Sequence, residues 1–163
     1  VFLGLFFLHF TSYVNEVREE VIMAPSGKSL WIYITEDSPY TGWRFWPGKK
    51  PLYKGTAPHG VLLTTYVNDW AFKAIEKGKS TMPYQAVIVK ENYMAGAEAA
   101  GSYEVNSITA MYKARGYNPP EGDWFWAKYT QNGEVLAVGS PPTCINCHSR
   151  SRANDYLMTE YPG

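Results

Sequence analysis

The stretch "DWFWAKYTQNGEVLAVG", Asp123 to Gly139, decides the fold. Two β-prone runs meet at Asn132-Gly133, and Asn-Gly favours the type I′ turn whose twist matches that of paired strands. The segment therefore reads as an antiparallel hairpin. On its first strand Trp124, Trp126 and Lys128 share one face, while Phe125, Ala127 and Tyr129 share the other.

Upstream, the chain repeats the strand pattern. "SITAMYKARGY", "YQAVIVKENY" and "GVLLTTYVN" are apolar and β-branched runs bounded by turn residues, and each reads as a strand. "LWIYIT" (Leu30 to Thr35) reads as one more. "NDWAFKAIEKG" has helical spacing, with Asn68 or Asp69 as its N-cap and Gly78 as its stop. Between Asp37 and His59 prolines and glycines predict a long loop, and "MAGAEAAGS" and "NPPEGD" are shorter ones. The fold class expected is α+β: a mainly antiparallel β-sheet with a few helices, filling residues 25–163.

The first 24 residues differ in kind. "VFLGLFFLHF" is almost wholly apolar and lacks the basic n-region of a signal peptide. Ten helical residues reach only about 15 Å, half of a bilayer core. The helical period continues, with Phe7, Phe10, Val14, Val17 and Val21 near one face and Glu16, Arg18 and Glu19 on others. A helix apolar all round that turns amphipathic suits emergence from a membrane or from a partner surface. Residues 1–24 are thus expected to form a helix outside the sheet domain, a membrane anchor or a partner-packing segment.

Composition narrows the function. At 163 residues, 45% apolar and 18% charged, the chain can bury a single core. Fifteen basic residues balance fifteen acidic ones with no basic run, which excludes nucleic acid as the expected partner. Six Trp, thirteen Tyr and seven Phe serve either a large aromatic core or the wall of a cofactor pocket.

"PPTCINCHSR" (Pro141 to Arg150) holds both cysteines, three residues apart and followed at once by a histidine. Four readings compete: a redox dithiol, part of a zinc site, a disulfide, or attachment of haem c. Two sulfurs on one helical turn can reach the two vinyl groups on one porphyrin edge, and the next imidazole can bind the iron. A structural zinc ion needs four ligands, with only His9 and His59 left to complete the set. A thioredoxin-like dithiol belongs to an α/β pattern that is missing, and a disulfide across two residues closes too small a loop to stabilise much. Haem c is the expected cofactor, with Cys144 and Cys147 as attachment points and His148 as the proximal iron ligand. Its attachment chemistry places the chain in the periplasm or an equivalent extracytoplasmic space.

The sixth iron position decides between a closed electron carrier and an open site for small molecules. Met158 lies ten residues past His148, an awkward reach to the opposite face. Met82, Met94 and Met111 sit in or beside strands, where core filling is the common role. His59, in "APHGV", is the better sixth-ligand candidate, although a loop histidine is more often structural.

"PHGVLLTTYVND", "AVIVKENY", "MYKARGYNPPEGDWFWAKY" and "CINCH" with "NDYLM", in this order, resemble the cytochrome P-460 family, which includes the cytochromes c′-beta. The resemblance runs from about Trp43 to the C-terminus. It implies an antiparallel sheet, usually in a homodimer, and one haem c with an open or weakly occupied distal site. In hydroxylamine-oxidising members a strand lysine is bonded to the porphyrin edge; Lys90 in "VIVKENY" is the matching residue, with an exposed or salt-bridged lysine as the alternative. The distal carboxylate of those enzymes has no clear counterpart here. The c′-beta members place aromatic residues over the haem and bind nitric oxide, which makes Trp126 a candidate pocket residue. Three functions follow as expectations: an oxidoreductase acting on hydroxylamine or nitric oxide, an electron-transfer subunit of a membrane complex, and a nitric oxide sensor or scavenger.

Overall fold

The computed structural model describes residues 23–95 and 102–158. The apolar N-terminal segment and the tip of the small-residue loop lie outside these, and with them the expected N-terminal helix.

A seven-stranded antiparallel sheet forms the body. Its long strands follow the chain as a meander: β3 (Leu62–Val67), β4 (Val87–Ala95), β5 (Tyr103–Lys113), β6 (Trp124–Tyr129) and β7 (Val135–Gly139) lie side by side. The two short strands β1 (Arg44–Phe45) and β2 (Tyr53–Lys54) both pair with β3. The loop expected from Asp37 to His59 therefore contributes to the sheet edge, through pieces too short to leave a periodic signal.

Alternation sorts the side chains to two faces. Val87, Val89, Ile108, Tyr112, Phe125 and Tyr129 pack together on one. Ile88, Met111, Trp124 and Trp126 pack on the other, with Ala71, Ala74 and Ile75 of helix α2 (Asp69–Glu76). The two-sided reading of "WFWAKY" holds. Asn68 caps α2 as expected: its Oδ1 accepts from Ala71 N at 3.1 Å, and from Val87 N at 3.1 Å, tying the helix to β4. Gly78 follows the helix at φ +59°, a left-handed stop that costs glycine little.

"LWIYIT" is helical, not a strand. Helix α1 (Gly27–Ile32) runs into a wider turn over Tyr33–Asp37. Ser26 caps it by accepting from Ser29 N at 3.1 Å. Leu30 and Ile34, four apart, are both fully buried, while Ile32, which a strand would set on the same face as both, is only partly buried, so the helical period fits the core. Short apolar runs are ambiguous in sequence for this reason.

The β6–β7 hairpin is present, but its turn differs from the expected type. Only Gly133 has positive φ, at +90°, whereas type I′ needs two such residues. Gly133 N donates to Thr130 O at 3.1 Å and Thr130 N to Glu134 O at 2.9 Å, the three-residue loop that ends in a left-handed glycine.

On the α1 face Glu91 is buried and accepts from three phenols: Tyr40 at 2.9 Å, Tyr66 at 3.1 Å and Tyr93 at 2.6 Å. The chain after β7 enters helix α3 (Pro142–His148), then a 3₁₀ stretch over Ser149–Asn154. No helix among the described residues is long and apolar enough to cross a membrane.

Candidate haem site

A cavity of about 510 Å³ lies on the Trp126 face of the sheet, between β3–β6, the loop carrying His59, and α3. That size is ordinary for a cofactor pocket. Cys144, Cys147, His148, His59, Lys90 and Trp126 all line it. Residues spread over 90 positions of sequence thus converge on one space.

Helix α3 explains the order of the first three. Cys144 and Cys147 are three apart and His148 is four from Cys144, so all fall on neighbouring rows of one helix face. Pro141 and Pro142 open the helix, where a missing N–H costs nothing. Both thiols are half-buried and unpaired. Burial pushes the Cys144 thiol up, opposite to the lowered values of redox-active dithiols. Among the described residues, no group of three or more His, Cys, Asp or Glu side chains converges to hold a metal ion, so nothing there supports the zinc reading.

His148 is buried, and its Nδ1 donates to the Tyr156 carbonyl at 2.7 Å. A carbonyl can only accept, so the proton sits on Nδ1 and Nε2 keeps its lone pair. That outer-shell bond is the usual setting of a metal-binding imidazole. Burial, then the Lys90 charge, holds the ring below the ordinary histidine range, against the Tyr156 bond. The Trp126 ring packs 4.6 Å from the His148 ring, and its Nε1 is buried without a hydrogen-bond partner.

The Tyr156 carbonyl is itself anchored. Asp155 forms a buried ion pair with Lys113 on β5, accepts from Met82 N at 2.7 Å, and passes its carbonyl to Trp124 Nε1 at 2.9 Å. None of Lys113, Asp155 or Tyr156 could be found from the motif, because they act through a strap that folds back only in three dimensions.

His59 sits across the cavity. Its ring centroid is 6.4 Å from that of His148, with the planes at 86°. Asn92, two residues beyond Lys90 on β4, accepts from His59 Nδ1 at 2.8 Å. The Asn92 amide faces Ser107 O at 3.0 Å, Lys90 O at 3.3 Å and Thr109 Oγ1 at 3.3 Å. Two of these are carbonyls, which fixes the amide as donor there and its oxygen as acceptor toward His59. Nε2 of His59 is therefore also bare. Burial, then Lys90, pushes His59 down to about 4. The partner Asn92 was missed in the sequence, although it stands on the same strand face as Lys90.

The methionines divide as their surroundings dictate. Met82 is in the core, Met94 is exposed, Met111 is a buried wall residue, and Met158 stands half exposed at the rim. Lys90 extends into the cavity, where burial and the neighbouring Lys49 lower its amine to about 8.

The lining fits an apolar, planar, dianionic group. Leu63, Ile88, Met111 and Trp126 supply apolar wall, and Lys49, Lys54, Lys90 and Lys128 supply positive charge. Among the described residues, no Asp or Glu lines the cavity. A tetrapyrrole with two acidic side chains matches that balance, and a bare imidazole nitrogen beside two thiols matches its iron and its vinyl edge.

No curated protein matches the chain at a significant level. Residues 40–159 match the family model described as Cytochrome P460, which covers the sheet, the His59 loop and the Cys-x-x-Cys-His helix; the chain belongs to the cytochrome P460 family, a family of haem proteins.

Proposed function

We propose that this chain is an extracytoplasmic c-type cytochrome that exchanges single electrons through one haem. The observation that carries the reading is the meeting of Cys144, Cys147 and a tautomer-fixed His148 at one cavity with apolar walls. Attachment forms a carbon–sulfur bond from each thiol to a vinyl carbon, while the thiol proton passes to the neighbouring carbon; no net oxidation occurs. The bound haem supplies an Fe(III)/Fe(II) couple.

The protein's part is to hold and tune. His148 Nε2 binds the iron, and the Tyr156 carbonyl, drawing on Nδ1–H, makes that nitrogen a stronger donor. The Lys113–Asp155 pair keeps the carbonyl in place. Leu63, Ile88 and Trp126 exclude water, and the lining lysines offset the acidic side chains of the porphyrin.

A second reading, chemistry on hydroxylamine or nitric oxide, draws on the family resemblance and on the size of the cavity. Hydroxylamine oxidation needs a proton acceptor at the distal face, and among the described residues none of the cavity's lining is Asp or Glu; nitric oxide binding makes no such demand. Lys90 lines the cavity, which supports a bond from its amine to the porphyrin edge under this reading. A redox protein is the expected partner under the first reading, with the N-terminal segment as membrane or subunit anchor; a homodimer is the expected assembly under the second.

The test is the holoprotein made with haem c maturation. Its mass should exceed the polypeptide by one haem, and the pigment should survive acid–acetone extraction. Cys144→Ser and Cys147→Ser should each leave a single thioether. A colourless protein of unmodified mass would overturn the proposal.

A further inference from the structure

We propose that His59 is the second axial ligand of the haem iron, opposite His148, so that the iron is held between two imidazoles. The inference rests on the haem reading above and deepens it: it assigns the sixth position to a residue of this chain.

Three independent features carry it. The first is separation. Two metal–imidazole bonds of about 2.0 Å, with about 1.1 Å from each nitrogen to its ring centre, span about 6.2 Å. The two ring centroids lie 6.4 Å apart. The Trp126 ring, by comparison, packs only 4.6 Å from that of His148.

The second is protonation. A ligand nitrogen must be bare, with the other nitrogen donating outward. His148 meets this through Tyr156 O and His59 through Asn92 Oδ1. Asn92 has no freedom to reverse, since its amide hydrogens are spent on Ser107 and Thr109 of β5 and on the Lys90 carbonyl.

The third is backbone placement. His59 N donates to Thr56 O at 3.0 Å, Val61 N to Tyr93 O at 2.8 Å, and Gly55 N to Val61 O at 2.8 Å. A Cβ at Gly60 would overlap the backbone of Tyr93, so only glycine lets the loop press this close to β4. The loop that bears His59 is thereby fastened to the strand that bears Asn92.

An iron so held carries electrons with little rearrangement, and a small molecule must displace His59 to bind. If the displaced form is a tenth of the molecules, removing His59 raises apparent affinity for carbon monoxide about tenfold.

Optical and electron paramagnetic resonance spectra of the haem-loaded protein test the assignment. The wild type should be low-spin in both oxidation states. His59→Ala should turn predominantly high-spin, bind carbon monoxide more tightly, and return to low-spin with added imidazole. His59→Met should stay six-coordinate with a raised reduction potential. A five-coordinate wild type, or a His59→Ala protein with unchanged spin state, overturns the assignment. Should His59→Ala not accumulate, a His59→Met potential equal to wild type overturns it equally. A haem-free wild type would sink the haem reading itself, whereas a haem-loaded protein indifferent to His59 sinks only this inference.

Discussion

Asp155 and Lys113 close on each other at 2.5 Å with both side chains buried, and the residue after Asp155 supplies the carbonyl that receives the His148 hydrogen. The His148 imidazole is thus oriented by an ion pair that never touches it. Asp155→Ala would leave Lys113 charged in a dry setting, a loss of about 3–5 kcal/mol. Urea unfolding should show it as a lowered midpoint. Asp155→Asn should lose less, because it can still accept from Met82 N. In both holoproteins the reduction potential should move.

Asn92→Leu removes the acceptor for His59 Nδ1 and strands the groups on β5 that its amide served. The stability cost should be about 1–3 kcal/mol. The variant should also show a mixed-spin spectrum where the wild type is uniform. An unchanged spectrum would mean that Asn92 does not orient His59.

Gly60→Ala tests the loop itself. The added methyl meets the Tyr93 backbone, so the loop must lift from β4. Overpacking of this kind costs about 1–3 kcal/mol. Thermal unfolding should report it, and the low-spin fraction should fall with no change to any side chain that touches the haem.

Alkaline pH should act through Glu91. Burial, then the Glu91 carboxylate, raises Tyr40 and Tyr66 well above the ordinary phenol range. Folded-state values above the unfolded value of 10 mean that the folded protein keeps protons that the unfolded chain releases. Stability from this source is complete below pH 10 and falls as pH rises beyond it. Ultraviolet titration should show these phenols ionising only as the protein unfolds. Glu91→Gln should let them ionise earlier.

Lys90 places a cation in the cavity that is charged at neutral pH, since its amine is lowered only to about 8. Reduction of iron removes one positive charge, so a nearby cation favours the reduced state. Lys90→Ala should lower the potential by roughly 1 kcal/mol, about 40 mV. The same variant tests the porphyrin bond: loss of a red-shifted ferrous Soret band would reveal it, and an unchanged band would remove it.

The sheet was legible because its strands follow one another along the chain. "VIVKENY" and "WFWAKY" each announce two faces, and the meander pairs them in chain order. "LWIYIT" misled because a short, mostly apolar run fits either period, and only the burial of Leu30 and Ile34 without Ile32 between them settles it. The hairpin was legible at Asn132-Gly133, but its turn type was not, since a glycine at one left-handed position serves a three-residue loop as well.

The sequence by itself placed the three residues on which the haem c proposal rests. Two thiols and an imidazole at fixed spacing lie on one helix, and local geometry suffices to bring such neighbours together. Only the tertiary structure decided what surrounds them. His59, Asn92, Lys113 and Asp155 reach the site from separate strands and loops, and no local period encodes a contact between residues dozens of positions apart. Those contacts exist because the folded sheet buries polar groups that must then find each other, and the partners they find set the tautomer of each imidazole.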